Sequence, residues 1–170
     1  MQSKYLFFLM SILIAANSVY AQEGHIRLKN EAFKEVEVVN EQGKKEYKLV
    51  EPSTAIPGDE ILYVTTFTNV SNQATKNIVI TNPVPNNSVY KQGSAFGAGT
   101  QITFSVDSGK SYANESGLVV SDEGAQRPAK AEEYTDIRWV YQGELAPNAE
   151  GTVSFRTIIK KSPRQGESDE

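Results

Sequence analysis

Cysteine is missing from this chain of 170 residues, and histidine and tryptophan occur once each. No disulfide can form, no thiolate can attack or bind metal, and the core must hold by packing alone. The one histidine, His25, stands in what reads as a polar leading segment. A Ser–His or Cys–His system needs its imidazole held against the nucleophile by packed neighbours, which such a segment does not provide. A phosphate-binding loop is lacking too. Gly97-Ala98-Gly99 is glycine-rich but has neither the spacing, the lysine nor the following helix. Basic charge is in short supply: 17 Lys and Arg stand against 21 Asp and Glu, a net charge of −4. Such a chain has no electrostatic reason to bind nucleic acid or an anionic membrane.

Long apolar runs are also absent. The richest is Leu6 to Ala16, LFFLMSILIAA, eleven residues, where a spanning helix needs about 20. Lys4 precedes this run and Val19-Tyr20-Ala21 follows it. This is the pattern of a secretory signal peptide over residues 1–21, cut after Ala21. Gln22, not Cys, follows the cut, so no lipid-anchored start is expected. The chain therefore reads as exported, to the periplasm or the extracellular space, with no stable membrane insertion once the leader is removed. An export with no cysteine points to a bacterial source. The remaining ~150 residues suit one domain. A polar tail is expected over 22–30, a folded unit over 31–160 and a disordered tail over 161–170. Three Asn-x-Ser triplets, at Asn69, Asn86 and Asn114, reflect the abundance of these residue types.

What the chain does have is alternation. No stretch keeps a helical period over three turns, whereas short alternating runs recur between turn residues. In 33–39, Val36 and Val38 share a face. Asn40-Glu41-Gln42-Gly43 is a turn, and Tyr47 and Leu49 alternate on the return, so 33–50 reads as a hairpin. Pro57-Gly58-Asp59 turns the chain into ILYVTTFTN, with Ile61, Tyr63, Thr65 and Phe67 on the heavier, core-facing side. Further strands are expected at 77–81, stopped by Asn82-Pro83-Val84-Pro85, and at 101–106, 136–141 and 151–160. Trp139 and Phe155 lie on their apolar faces. Seven or eight short strands of this kind suggest an all-β, two-sheet sandwich.

Two sets of residues could carry chemistry. Asp107, Asp122, Glu123, Glu132, Glu133 and Asp136 crowd the final third. Paired carboxylates can hydrolyse a glycoside, and several together can hold calcium. However, no D-x-D-x-D-G loop is present, and acidic loops are ordinary in an acidic protein. Tyr90, Tyr112 and Tyr134 lie in or beside loops, where sugar-binding sandwiches stack rings. Residues 111–135 are long for a connection, about 4–6 residues being usual, and binding residues gather on such loops. Tyr112, Asp122, Arg127 and Tyr134 are the candidate ligand-facing residues. Leu118-Val119-Val120 is a possible short strand within the same segment.

Taken together, AIPGDEILYVTTFTNVSNQATKNIVITNPVPNNSVYKQGSA and YTDIRWVYQGELAPNAEGTVSFRTIIK resemble the conserved-repeat domain of unknown function number eleven, found in bacterial and archaeal surface and exported proteins. The likeness rests on Pro57, Gly58, Asp59, Tyr63, Asn69, Pro85, Tyr90 and Gly93-Ser94. It continues through Trp139, Leu145-Ala146-Pro147 and the run from Val153 to Ile159, and so covers about 52–160. FSVDSGKSY is similar to single-copy members exported by Gram-negative bacteria. Asn148 departs from the glycine common after Leu-x-Pro, but Asn also tolerates a left-handed turn. The family is often tandem, and here there is one unit. The resemblance implies an immunoglobulin-like sandwich and carries over no catalytic residue, cofactor or metal. The expectation is a non-enzymatic exported module, a structural or interaction protein that binds or spaces other envelope or extracellular components, with a protein or a glycan as partner. A carbohydrate-binding module built on loop aromatics is the alternative, and a hydrolase built on loop carboxylates is a third reading.

Overall fold

A ten-residue strand of β-branched and aromatic residues, Glu60–Asn69, organises the molecule. The computed structural model describes residues 25–122 and 124–161. The expected leader, the cut after Ala21, Glu123 and residues 162–170 lie outside the described residues. In chain order the strands are β1 Ile26–Val39, β2 Lys45–Val50, β3 Glu60–Asn69, β4 Val79–Pro83, β5 Ser88–Tyr90, β6 Phe96–Gly97, β7 Thr100–Ser105, β8 Val119–Asp122, β9 Ala125–Pro128, β10 Asp136–Tyr141 and β11 Glu150–Ile159. The larger sheet has the order β2-β1-β3-β11-β5, with β6 also on β11. The smaller is β4-β10-β7, and β8-β9 form a separate ribbon. The protein is an all-β sandwich, as its alternation predicts.

β3 sits between β1 and β11, antiparallel to both, with nine residue pairs on each side. Its inward positions Ile61, Thr65, Phe67 and Asn69 are buried, while the alternate residues are only partly covered. Rings from the two sheets meet in the middle. Trp139 of β10 is fully buried and lies 6.1 Å from Phe155 of β11, and Phe67 of β3 meets Tyr141 of β10 edge-on at 5.7 Å. A polar link also crosses the layers: Asn82 of β4 donates to Thr65 Oγ1 (2.8 Å), and Thr65 donates to Asn30 of β1 (2.7 Å). A buried hydroxyl needs partners, and here it has one from each sheet.

Two expectations are corrected. The polar tail over 22–30 does not extend past His25, because β1 begins at Ile26 and pairs from there with Asn69. Its polar residues Arg27, Lys29 and Glu31 stand on one face, while Ile26, Leu28 and Ala32 continue the face of Val36 and Val38. Among the described residues there are also eleven strands rather than seven or eight. The extra ones are short pieces in 84–97 and 111–130, bounded by prolines and glycines. The expected hairpin over 33–50 is present, with Val39 opposite Lys45. Its turn is closed by Asn40, whose Oδ1 accepts from the N–H groups of Gln42 and Lys44, with Gly43 at φ 76°.

Candidate functional site

The expected binding segment, 111–135, is ordered at both ends by backbone bonds. Ala113 exchanges two hydrogen bonds with Phe104 of β7, and Thr135 N–H donates to the Ser105 carbonyl. Between them, short 3-10 turns at Glu115–Gly117 and Ala131–Glu133 flank the β8–β9 ribbon. Leu118 pins the ribbon to the core and is 5% exposed.

The four candidate side chains do not converge. Arg127 turns inward on its own segment. Its Nη1 and Nη2 donate to the two oxygens of Glu133 (2.8 and 2.7 Å) and its Nε donates to Asp122 (3.0 Å). The lysine at 130 adds its backbone N–H to Glu133 (2.7 Å). Hydrogen bonds from Arg127, then from that N–H, hold the Glu133 carboxyl down at about 2. Arg127 in turn is held above its ordinary value by Glu133 and Asp122. Such a bidentate pair fixes the ribbon to the following turn, and it leaves neither charge free for a ligand.

Tyr134 is corrected outright as a ligand-facing residue. It is 4% exposed and packs against Tyr90 (5.2 Å) and Phe104 (5.4 Å). Burial pushes its hydroxyl pKa up. Tyr90 is equally buried. Tyr112 is partly exposed, but Arg138 covers one face of its ring at 3.5 Å, a cation–π contact. Of the three loop tyrosines, two are core and the third already carries a cation, so no stacking platform for a sugar is assembled.

The carboxylates are similarly occupied. Asp107 closes the turn after β7: Oδ1 accepts from Ser105 Oγ and the N–H groups of Lys110 and Ser111, and Oδ2 accepts from Ser111 Oγ (2.6 Å). Those bonds, led by Ser111, hold its pKa well below the ordinary carboxylate value. Among the described residues no three Asp, Glu or His side chains come close enough to share a metal ion. Glu132 and Asp136 border a cleft of about 270 Å³ at one end of the sandwich, together with Ser108, Thr135 and Lys160. Lys160 there donates to the Asn86 carbonyl at 3.3 Å.

Several residues that reading by pattern misses lie elsewhere. At the end of the larger sheet where β3 begins, Lys34 pairs with Asp59 (2.6 Å), Lys91 with Glu60 (2.6 Å) and Arg156 with Glu60 (2.9 Å). Asp59 is lowered first by the Ile56 N–H and then by Lys34, and Glu60 first by Lys91. This network depends on strands far apart in sequence, so no local motif announces it.

Asn69 is a buried polar group whose side chain makes four hydrogen bonds. It is 0% exposed. Its Nδ2 donates to the carbonyls of Gln73 and Leu145, and its Oδ1 accepts from the N–H and hydroxyl of Ser71. It joins the turn after β3 to the Leu145-Ala146-Pro147 turn, where Asn148 is left-handed at φ 59°. An amide buried in this way is not open to glycosylation in the folded chain. Compared with known proteins, the chain matches no family model, no curated protein and no solved structure.

Proposed function

We propose that this chain is an exported, non-enzymatic β-sandwich module of the bacterial envelope or extracellular space. It would be immunoglobulin-like in fold and akin to the conserved-repeat domain of unknown function number eleven, and it would hold or space other components. One observation carries this reading: the larger sheet outgrows the smaller. Residues 35–39 of β1 pair with β2 but run past the start of β3. The resulting ribbon presents Val39, Tyr47 and Leu49, 65%, 68% and 49% exposed, to solvent. Exposed apolar side chains gathered on one projecting element are the kind of surface that meets a partner. The groups best suited to chemistry, Asp59, Asn69, Asp107 and Glu133, are engaged in closing turns and strand junctions. The Pro57-Gly58-Asp59 turn, Asn69 at the strand end and the left-handed Asn148 all support the family likeness.

Two measurements test the proposal. Mass spectrometry of the exported protein should find an N-terminus at Gln22, and an intact Met1 there would overturn export with cleavage. A photo-crosslinking residue at Tyr47 should give a discrete adduct in cells, and one at exposed Thr81 on the smaller sheet should not. No adduct at Tyr47, or the same adducts at both positions, refutes the ribbon as a contact surface.

A further inference from the structure

β1 is covered on its two sides over different lengths. β3 lines one side from Ile26 to Lys34, and β2 lines the other only from Lys34 to Val39. Among the described residues, 26–33 therefore have one open edge, in the line β2 would have followed had the chain not left it after Val50. Backbone bonds show which groups point there. Val70 N–H donates to the His25 carbonyl (2.9 Å), so His25 and the odd-numbered residues after it bond toward β3. At the far end Asn40 N–H donates to the Lys44 carbonyl (2.9 Å), so the even-numbered residues bond toward β2. By this alternation Leu28, Asn30 and Ala32 aim their N–H and C=O groups at the open edge. A free edge of this kind is a template for another strand.

From these observations we propose that the strand it takes is β1 of a second copy, antiparallel, about a twofold axis at Asn30. A twofold antiparallel pair that keeps the inner faces aligned must place one residue opposite itself. Centring on Lys29 sets two ammonium groups opposite each other, and centring on Glu31 sets two carboxylates opposite each other. Centring on Asn30 places Lys29 opposite the partner's Glu31, and Glu31 opposite the partner's Lys29. It also makes Leu28, Asn30 and Ala32 the hydrogen-bonded positions. In the single chain Lys29 and Glu31 already lie on one face, 2.8 Å apart, so both charges are presented on the side that would meet their opposites. The edge is stiff, because β3 and β11 back it. On its inner side Leu28 (50% exposed) and Val79 (53% exposed) border a cleft of about 330 Å³, which a second strand would cover.

The outer edge of β2 is a competitor, since Glu46 and Lys48 are also self-complementary. However, Glu46 is held by Asn40 Nδ2 (2.6 Å), and residues 35–39 beneath that part of the ribbon have no third strand behind them. The dimer inference rests on the reading of the chain as an interaction module but fails separately from it.

Sedimentation equilibrium of the protein should show a monomer–dimer equilibrium. Lys29→Glu and Glu31→Lys should each weaken it, about tenfold or more, because each turns two attractive cross-strand pairs into repulsive ones. The double charge swap should restore it, and Lys48→Glu should leave it unchanged. A parent that stays monomeric to millimolar concentration overturns the dimer and leaves a foreign partner for the Tyr47 ribbon. Dimerisation that ignores positions 29 and 31, or responds to position 48, overturns the assigned edge. A double swap that fails to restore the dimer overturns the register.

Discussion

Gly151 of β11 lies opposite Phe67 of β3, and the ring of Phe67 sits over it. A Cβ at position 151 would stand 2.1 Å from the ring's Cζ and 2.6 and 2.7 Å from its Cε atoms. The ring cannot yield freely, being 1% exposed and braced by Tyr141 at 5.7 Å. Gly151→Ala therefore forces Phe67 outward by roughly 1 Å or more into a close-packed interior, and such overpacking costs about 1–3 kcal/mol. Replacing glycine in a strand recovers about 0.5–1 kcal/mol of backbone entropy. The net expectation is a loss of about 1–2 kcal/mol, or roughly 2–8 °C in melting temperature for a chain of this length. Urea unfolding followed by the fluorescence of Trp139, the one tryptophan, measures it directly. A second arm isolates the cause: in a Phe67→Leu background the same Gly151→Ala change should cost much less, because the two positions share one space. A Gly151→Ala variant as stable as the parent, or an undiminished cost in the Leu background, would refute the reasoning.

Three other outcomes follow from the buried and paired groups. Trp139→Ala should lose about 3–5 kcal/mol of the 5–15 typical of a domain, seen by calorimetry as a collapse of the transition. Trp139→Phe should be much milder, because the indole N–H has no hydrogen-bond partner among the described residues. Asn69→Ala takes one donor from each of the Gln73 and Leu145 carbonyls, which keep the Ser71 hydroxyl and the Thr75 N–H, and removes the acceptor of the Ser71 N–H, with an expected loss of about 1–3 kcal/mol by chemical denaturation. Glu133 is lowered from 4.5 to about 2 in the fold. Its contribution is thus complete above pH 4.5 and fades as pH falls toward 2. Carboxyl NMR of Arg127→Met should find Glu133 titrating closer to 4.5, and an unmoved midpoint would show that Arg127 is not the cause.

Much of the frame is legible in single strands. The heavier face of β3, the burial of Trp139 and the left-handed tolerance at Asn148 all follow from period-two alternation and turn chemistry. The start of β1 was readable too, because Ile26, Leu28 and Ala32 extend the period of Val36 and Val38. The charged residues between them obscured it. Within 111–135, loop position does not imply exposure, as the buried Tyr134 shows. Tyr134 follows a 3-10 turn that directs its ring into the core, and nothing local to its sequence says so. The Lys34–Asp59 and Arg156–Glu60 pairs depend on which strands become neighbours, which a single strand's pattern does not encode.

The order β1-β3-β11 has a mechanical consequence. β1 and β11 run parallel to each other on either side of β3, so the chain comes into the sheet at Ile26 beside Asn69 and leaves it at Ile159 near Asp59, the opposite end of β3. Tension applied between those points runs along the strands, while the hydrogen bonds lie across them. Both ladders are then loaded in shear, so that many bonds must give way together, rather than one after another as in peeling. A sandwich strung this way meets stretching with whole ladders at once, and forced rupture is then set by the unfolding barrier and not by equilibrium stability alone.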